Sequence, residues 1–299
     1  QVTGVYNGTG GWTVNQGTLE FSGAGKHKTG TAQTTVNGGP IVDGIPVNTL
    51  IYDNSLTAVS TRSATHSIVL NGGQFRLIGN SVTAVTEAMS GASLNFGSGY
   101  GLITLENKGA ALSVGTSSLA RTTGTGLIRG AGLGMATGTN NVFFNVTNYA
   151  TGTTGETFLG AGAQKLAAGI IPYVLVDTSE TGQGMSFATY NATDGATNAF
   201  GLQALSDGNY SAVLPAAGTV NGNQDWNIRP ASGLTLSNAS GAEQLTGINS
   251  LTFNVAIPGA ALTLDPLTTL SLDSGGVLAL ASNTIAGTGS LTGTTGREL

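Results

Sequence analysis

Three stretches of the chain share one alternation: apolar, any, apolar, Asn or Asp, any, Gly, any, apolar, any, apolar. They are Trp12-x-Val14-Asn15-x-Gly17-x-Leu19-x-Phe21, Ile68-x-Leu70-Asn71-x-Gly73-x-Phe75-x-Leu77 and Leu270-x-Leu272-Asp273-x-Gly275-x-Val277-x-Ala279. A period of two places alternate side chains on one face of a strand, so each stretch predicts two short strands. Asn, Asp and Gly between them tolerate the left-handed backbone of a tight corner. The pattern assigns Trp12, Val14, Leu19, Phe21, Ile68, Leu70, Phe75, Leu77, Leu270, Leu272 and Val277 to the interior, and Gly17, Gly73 and Gly275 to corners.

The same alternation recurs through most of the chain. Short strands bounded by Gly, Asn and Thr run to about residue 134, at Leu94-x-Phe96, Ile103-x-Leu105 and Leu112-x-Val114. Residues 135–217 are less regular and hold the apolar run Ile170–Val176, which reads as a buried strand between longer excursions. Short strands return at Leu234-x-Leu236, Leu251-x-Phe253-x-Val255 and Leu262-x-Leu264. No window keeps a 3.6-residue apolar period with caps, so helix is not expected.

A strand–corner–strand unit repeated at uneven spacing predicts an all-β chain built by stacking: a right-handed parallel β-helix with irregular corner loops, spanning 1–299 as one solenoid. An antiparallel sandwich is the rival fold. At roughly 20–25 residues per turn the chain makes about 13 turns. At roughly 4.8 Å each, these make a rod about 60 Å long.

Composition narrows the function classes. Charged residues make up 8% of the chain and hydrophobic residues 39%, a balance that favours folding over disorder. The 48 glycines come with only 7 prolines, which excludes collagen. A net charge of −5 with ten Lys and Arg excludes a broad basic footprint for nucleic acid. There is no cysteine, hence no disulfide or thiolate metal site. No run of 18 apolar residues predicts a membrane-spanning helix. The chain opens at Gln1 without a signal-peptide pattern, which is expected of a mature or excerpted piece of a secreted precursor.

Several segments resemble the autotransporter-associated β-strand repeat proteins, large secreted or surface proteins abundant in Verrucomicrobia and Planctomycetes. Val14-Asn15-Gln16-Gly17-Thr18-Leu19-Glu20-Phe21 is similar to their strand-and-corner element, and Ile248–Asn254 to their strand-opening segment. Residues 284–293 resemble their inter-repeat segment. Ile171–Val176 with Phe187–Tyr190 resembles a stretch found between repeats. The resemblance implies a right-handed parallel β-helix outside the cell or at its surface, and it carries no catalytic residue across.

Candidate chemistry is sparse. Asp273-Ser274-Gly275-Gly276 resembles the nucleophile segment of chymotrypsin-like proteases, but it coincides with the corner of the third template, and only His27 and His66 are present to act as a base. Lys26-His27-Lys28 is the single basic cluster and reads as a solvated loop; His66 reads as a surface residue. Asp207, Asp225 and Arg229, with Trp226 among them, form the closest polar grouping. A polysaccharide-degrading β-helix would use Asp207 and Asp225 as its acids. A glycan-binding adhesin would use Trp226 and Tyr210, although Trp226 reads more readily as a plug at a loop base.

No catalytic, metal or cofactor site is therefore assigned. Asn-x-Ser/Thr sequons at Asn7, Asn145, Asn191, Asn209 and Asn238 match chance in so Asn- and Thr-rich a chain. Neither 1–11 nor 286–299 reads as an amphipathic cap, so subunits are expected to meet head to tail. The expectation from sequence is thus a non-enzymatic, extracellular or cell-surface fibre, filament or sheath subunit partnered by itself. Surface glycans are a further candidate ligand, and neither a nucleic-acid partner nor a membrane span is expected.

Overall fold

The computed structural model describes all residues except 8–9, 28–29, 31, 64, 136–140, 148–168, 192–200, 220–225 and 294–299. The chain divides into two compact units. Unit 1 comprises Gln1–Thr157 with Tyr173–Ala204, and unit 2 comprises Phe158–Pro172 with Leu205–Leu299. Within each unit stacked parallel strands form a β-solenoid, with about 9 turns in all among the described residues.

Unit 1 begins with β1 (Val5–Tyr6), β2 (Trp12–Val14), β3 (Thr18–Phe21), β4 (Lys26–His27) and β5 (Gln33–Asn37). A hairpin, β6 (Ile41–Val42) and β7 (Ile45–Pro46), precedes β8 (Thr49–Asp53), β9 (Ser67–Asn71) and β10 (Gln74–Ile78). Then follow β11 (Val85–Ser98), β12 (Tyr100–Glu106), β13 (Leu112–Arg121), β14 (Thr125–Gly130), β15 (Val142–Val146), β16 (Ile171–Asp177), β17 (Ser186–Asn191) and β18 (Gly201–Ala204).

These strands make two parallel ladders. One runs β2-β5-β9-β11-β13-β15 and the other β3-β8-β10-β12-β14-β16. The antiparallel pair β17–β18 joins them into one 14-stranded sheet. The ladders bring template residues into vertical rows: Val14 beside Val36, Val36 beside Leu70, and Leu50 beside Phe75.

The row Leu50, Phe75, Ile103, Ile128 steps by 25, 28 and 25 residues, and the next step, to Val176, takes 48. The expected count of about 13 turns is therefore too high. The long steps account for the difference: the 31 residues from Leu19 to Leu50 include the β6–β7 hairpin, and the 48 to Val176 add no rung of their own to this row.

Unit 2 repeats the plan with β19 (Tyr210–Ser211), β20 (Asn227–Ile228), β21 (Leu234–Leu236), β22 (Gln244–Phe253), β23 (Leu262–Leu264), β24 (Thr268–Ala279), β25 (Ile285–Gly287) and β26 (Ser290–Gly293). Its ladders are β19-β20-β22-β24-β26 and β21-β23-β25. Ile228, Leu236, Ile248, Leu251, Leu262 and Leu270 are among the residues that fill its core.

Most interior assignments hold. Val14, Phe21, Ile68, Leu70, Phe75, Leu77, Leu270 and Leu272 are buried. Trp12 and Leu19 are only partly buried, because β2 and β3 are the last rungs of their ladders. Val277 is 41% exposed, against expectation, while Leu278 is buried. The register of β22 against β24 slips between Ile248 and Ser250, so the phase of β24 inverts after its Asp273–Gly276 stretch.

The corner glycines also divide. Gly17 has φ +74° and its N–H donates to Asn48 Oδ1 at 3.0 Å, as a corner requires. At the second template the left-handed residue is Gly72, φ +86°. Gly73 serves packing instead, since a Cβ there would lie 2.4 Å from Val36 Cγ1. Gly275 lies within β24 rather than between two strands.

Polar side chains stack as the apolar ones do. Asn71 Nδ2 donates to Asn37 Oδ1 (3.0 Å) and Asn37 Nδ2 to Asn15 Oδ1 (2.7 Å), a ladder that begins and ends on template asparagines. A second row is buried on the outer face of the β8–β14 ladder: Gln74 Nε2 donates to Thr104 Oγ1 (3.0 Å), as does Arg129 Nε (3.0 Å). Loop 178–185 helps to cover that row, with Gly182 accepting from Arg129 Nη1 (2.9 Å) and Glu180 from the Asn107 N–H (2.8 Å).

Candidate functional site

A buried ionisable cluster lies inside unit 1, where the corners after β3 and β8 meet β11. Thr61 has φ +82°, a strained value for a β-branched residue, and the backbone delivers Arg62 into the interior, where it is fully buried. Arg62 Nε donates to Asn54 Oδ1 (2.9 Å). Its Nη2 donates to the carbonyls of Gly23 (3.0 Å), Asp53 (2.7 Å) and Thr57 (3.1 Å), and its Nη1 to that of Gly25. The planar fork thus ties the corner after β3 to the corner after β8.

Glu87, in β11, receives the same loop from the other side. Its carboxylate accepts the N–H groups of Arg62 (2.9 Å) and Ser63 (2.8 Å) and the Ser63 hydroxyl (2.6 Å). Burial pushes the Glu87 carboxyl above its ordinary range, against the pull of those hydrogen bonds and of Arg62. Burial likewise lowers the Arg62 guanidinium, opposed by Glu87 and Asp53. A buried cation and anion, both hydrogen-bonded, avoid the cost of an isolated charge.

Two imidazoles complete the cluster. His27 and His66 are each 1% exposed and their rings stack at 4.4 Å and 28°. The His27 ring also packs on Phe21, at 4.4 Å. His66 Nδ1 lies 3.1 Å from the Ser63 carbonyl, which assigns the proton to Nδ1. Burial, and secondarily His66, lower the His27 pKa to about 4. Both ring nitrogens of His27, Nε2 of His66, the Tyr52 hydroxyl and Asn54 Nδ2 are buried and have no hydrogen-bond partner. Burial drives the Tyr52 phenol well above its usual range.

These residues correct two expectations. Lys26-His27-Lys28 is not a solvated loop: His27 is interior in β4 and Lys26 is partly buried, while Lys28 lies outside the described residues. His66 is buried rather than at the surface. Arg62, Ser63 and Glu87 were not singled out by the sequence pattern. A signal was available, since an isolated Arg and Glu are conspicuous in a chain with 8% charge.

The cluster brings Ser, His and Glu together without assembling a nucleophile. The Ser63 hydroxyl donates to Glu87, whereas the His66 contact is to the Ser63 carbonyl. Ser63 is fully buried, so no acyl substrate reaches its Oγ. What this arrangement does chemically is bind its own backbone across turns.

The remaining candidates lie in unit 2. Asp207, exposed on a 3-10 turn (Asp207–Asn209), pairs with Arg229 at 2.8 Å. The Arg229 guanidinium sits 4.1 Å over the Tyr210 ring. Trp226 is partly buried against the aliphatic core, and Asp225 lies outside the described residues. Ser274 is buried: its Oγ donates to the Asn249 carbonyl (2.5 Å) and accepts the Gly276 N–H (3.0 Å). Both histidines of the chain belong to unit 1, so unit 2 holds no imidazole base for it.

Among the described residues no three His, Cys, Asp or Glu side chains group as a metal site, and no helix is long and apolar enough to cross a membrane. Comparison with protein-family models, curated proteins and solved structures returns no match to this chain.

Proposed function

We propose that this chain is a non-enzymatic structural segment of an extracellular or cell-surface fibre or sheath, extended by end-to-end stacking of solenoid rungs. One observation carries the reading: the polar groups of the unit 1 cluster that make hydrogen bonds make them within the stack. Arg62 and Glu87 bind backbone of neighbouring turns, and Asn48 Nδ2 donates to the Asn15 and Asn37 carbonyls at 2.9 Å each. Groups held in this way reinforce a scaffold and are not free to turn over a substrate. The repeat resemblance points the same way.

Electron microscopy of the purified chain tests this reading. Long filaments of uniform width are expected. Short isolated particles that cleave a polysaccharide from a substrate panel would overturn it.

A second reading, a glycan-binding adhesin, draws on unit 2. There an exposed carboxylate, a guanidinium and an aromatic ring converge at Asp207, Arg229 and Tyr210. Glycan-array binding that is lost in Arg229→Ala and Trp226→Ala would favour it.

A further inference from the structure

We propose that the stacked His27–His66 pair is an acid-operated latch that holds the segment Val2–Tyr6 on the edge of unit 1. That segment lies along the outer side of β3 and β4. The Val2 N–H donates to the Glu20 carbonyl (2.8 Å) and the Ser22 N–H to that of Val2 (3.0 Å), while β1 pairs in parallel with β4. The fit is close: a Cβ on Gly25 would lie 2.0 Å from the Val2 carbonyl oxygen. Beneath this cover, the His27 N–H donates to the Arg62 carbonyl at 2.8 Å. Strand β4 is therefore held between the cover and loop 54–66.

Protonating His27 places a cation where nothing receives it. Its ring nitrogens have no acceptor. The groups that face it are Tyr6 from β1, Phe21 from β3, Tyr52 from β8, and His66 and Arg62 from loop 54–66. The anions near Arg62 are Glu87 from β11, whose oxygens already accept from Arg62 and Ser63, and Asp53 from β8, whose Oδ1 accepts the Ser55 N–H. An imidazolium is accommodated only when the ring reaches water, which requires β4 or the loop to swing out. Either movement strips the inner support from β1 and uncovers the edge of β3, a row of backbone groups able to pair with another strand.

The sign follows from linkage. His27 is held near 4 in the closed state and returns to about 6.5 when open, so closure is fully favoured above about 6.5 and weakens as pH falls toward 4. Glu87 opposes this, because burial raises its carboxyl and its protonation therefore favours the closed state.

Amide hydrogen exchange of the whole chain at pH 7.5 and 4.5, corrected for intrinsic rates, is the test. Opening of 2–6, 22–27 and 54–66 should rise at least about ten-fold at the lower pH. His27→Phe, which keeps an aromatic ring in the stack, should abolish the rise, and Glu87→Gln should enlarge it. Unchanged exchange in the native chain, an equal rise in His27→Phe, or an equal rise across 205–299 would overturn the latch. Should His27→Phe not fold, the His27 ring resonances of the native chain decide: a midpoint near 4 supports the proposal, and one near 6.5 overturns it.

Discussion

Units 1 and 2 use the same parallel ladders but satisfy their buried polar groups in different ways. Unit 1 holds its corners with charge: Arg62 and Glu87 reach across turns, beside two stacked imidazoles. Unit 2 uses neutral amides and hydroxyls. Asn249 Nδ2 and Ser250 Oγ both donate to Asn227 Oδ1 (2.8 and 2.7 Å), and Ser274 Oγ donates to the Asn249 carbonyl. Its core is otherwise aliphatic apart from Phe253. The two solutions differ in their response to added protons. The polar cluster of unit 2 contains no titrating group, whereas that of unit 1 consists largely of them.

Five experiments probe that contrast. The largest effect is expected for Leu70→Asp, which buries an unpaired carboxylate in unit 1. It should cost about 4–5 kcal/mol or more and abolish protection there while 205–299 remains protected. Unchanged thermal stability would remove Leu70 from the interior. Next comes Arg62→Ala, which strips the donor from the carbonyls of Gly23, Gly25, Asp53 and Thr57 and removes the cation nearest Glu87, at a cost of about 3–5 kcal/mol by chemical denaturation. Arg62→Ala together with Glu87→Ala should recover part of that loss, which a purely steric role would not allow.

Acidification should then lower the melting temperature of unit 1 by several degrees between pH 6.5 and 4. The reason is that the folded pKa of His27, about 4, lies below its unfolded value. Melting of unit 2 should shift less over the same range, and parallel shifts would erase the distinction drawn above. Asn249→Ala should cost about 1 kcal/mol in unit 2 by removing one of the two donors to Asn227 Oδ1, with no pH dependence of its own. Smallest is Val277→Ser, expected within about 0.5 kcal/mol of the native chain because the side chain faces out. A loss of 2 kcal/mol or more would restore the phase that the template implied.

The ladder was legible in sequence because its signal is local. Alternation at Ile68, Leu70, Phe75 and Leu77 states which face is inside, and Asn15 and Asn71 mark the corners that stack. Val277 was misplaced because one slip in a Gly-Gly stretch inverts every later side chain, and periodicity carries no record of the slip. The turn count failed for a related reason, since corner loops absorb residues without adding rungs. The polar cluster was not legible as a cluster, although its isolated Arg and Glu stand out in so weakly charged a chain. His27, Arg62, His66 and Glu87 come from separate corners and strands, and each alone resembles a solvated residue. Only the register of the stack brings them together.

A structural tie requires the unit 1 cluster to be sealed from solvent at neutral pH. Modification of native protein by diethyl pyrocarbonate at pH 7, mapped by mass spectrometry, tests this most directly. His27 and His66 should stay unmodified until the chain is unfolded, and then react like free imidazole. Rapid labelling of either ring in the folded chain would mean an open polar pocket, and would contradict the reading of this cluster as a structural tie.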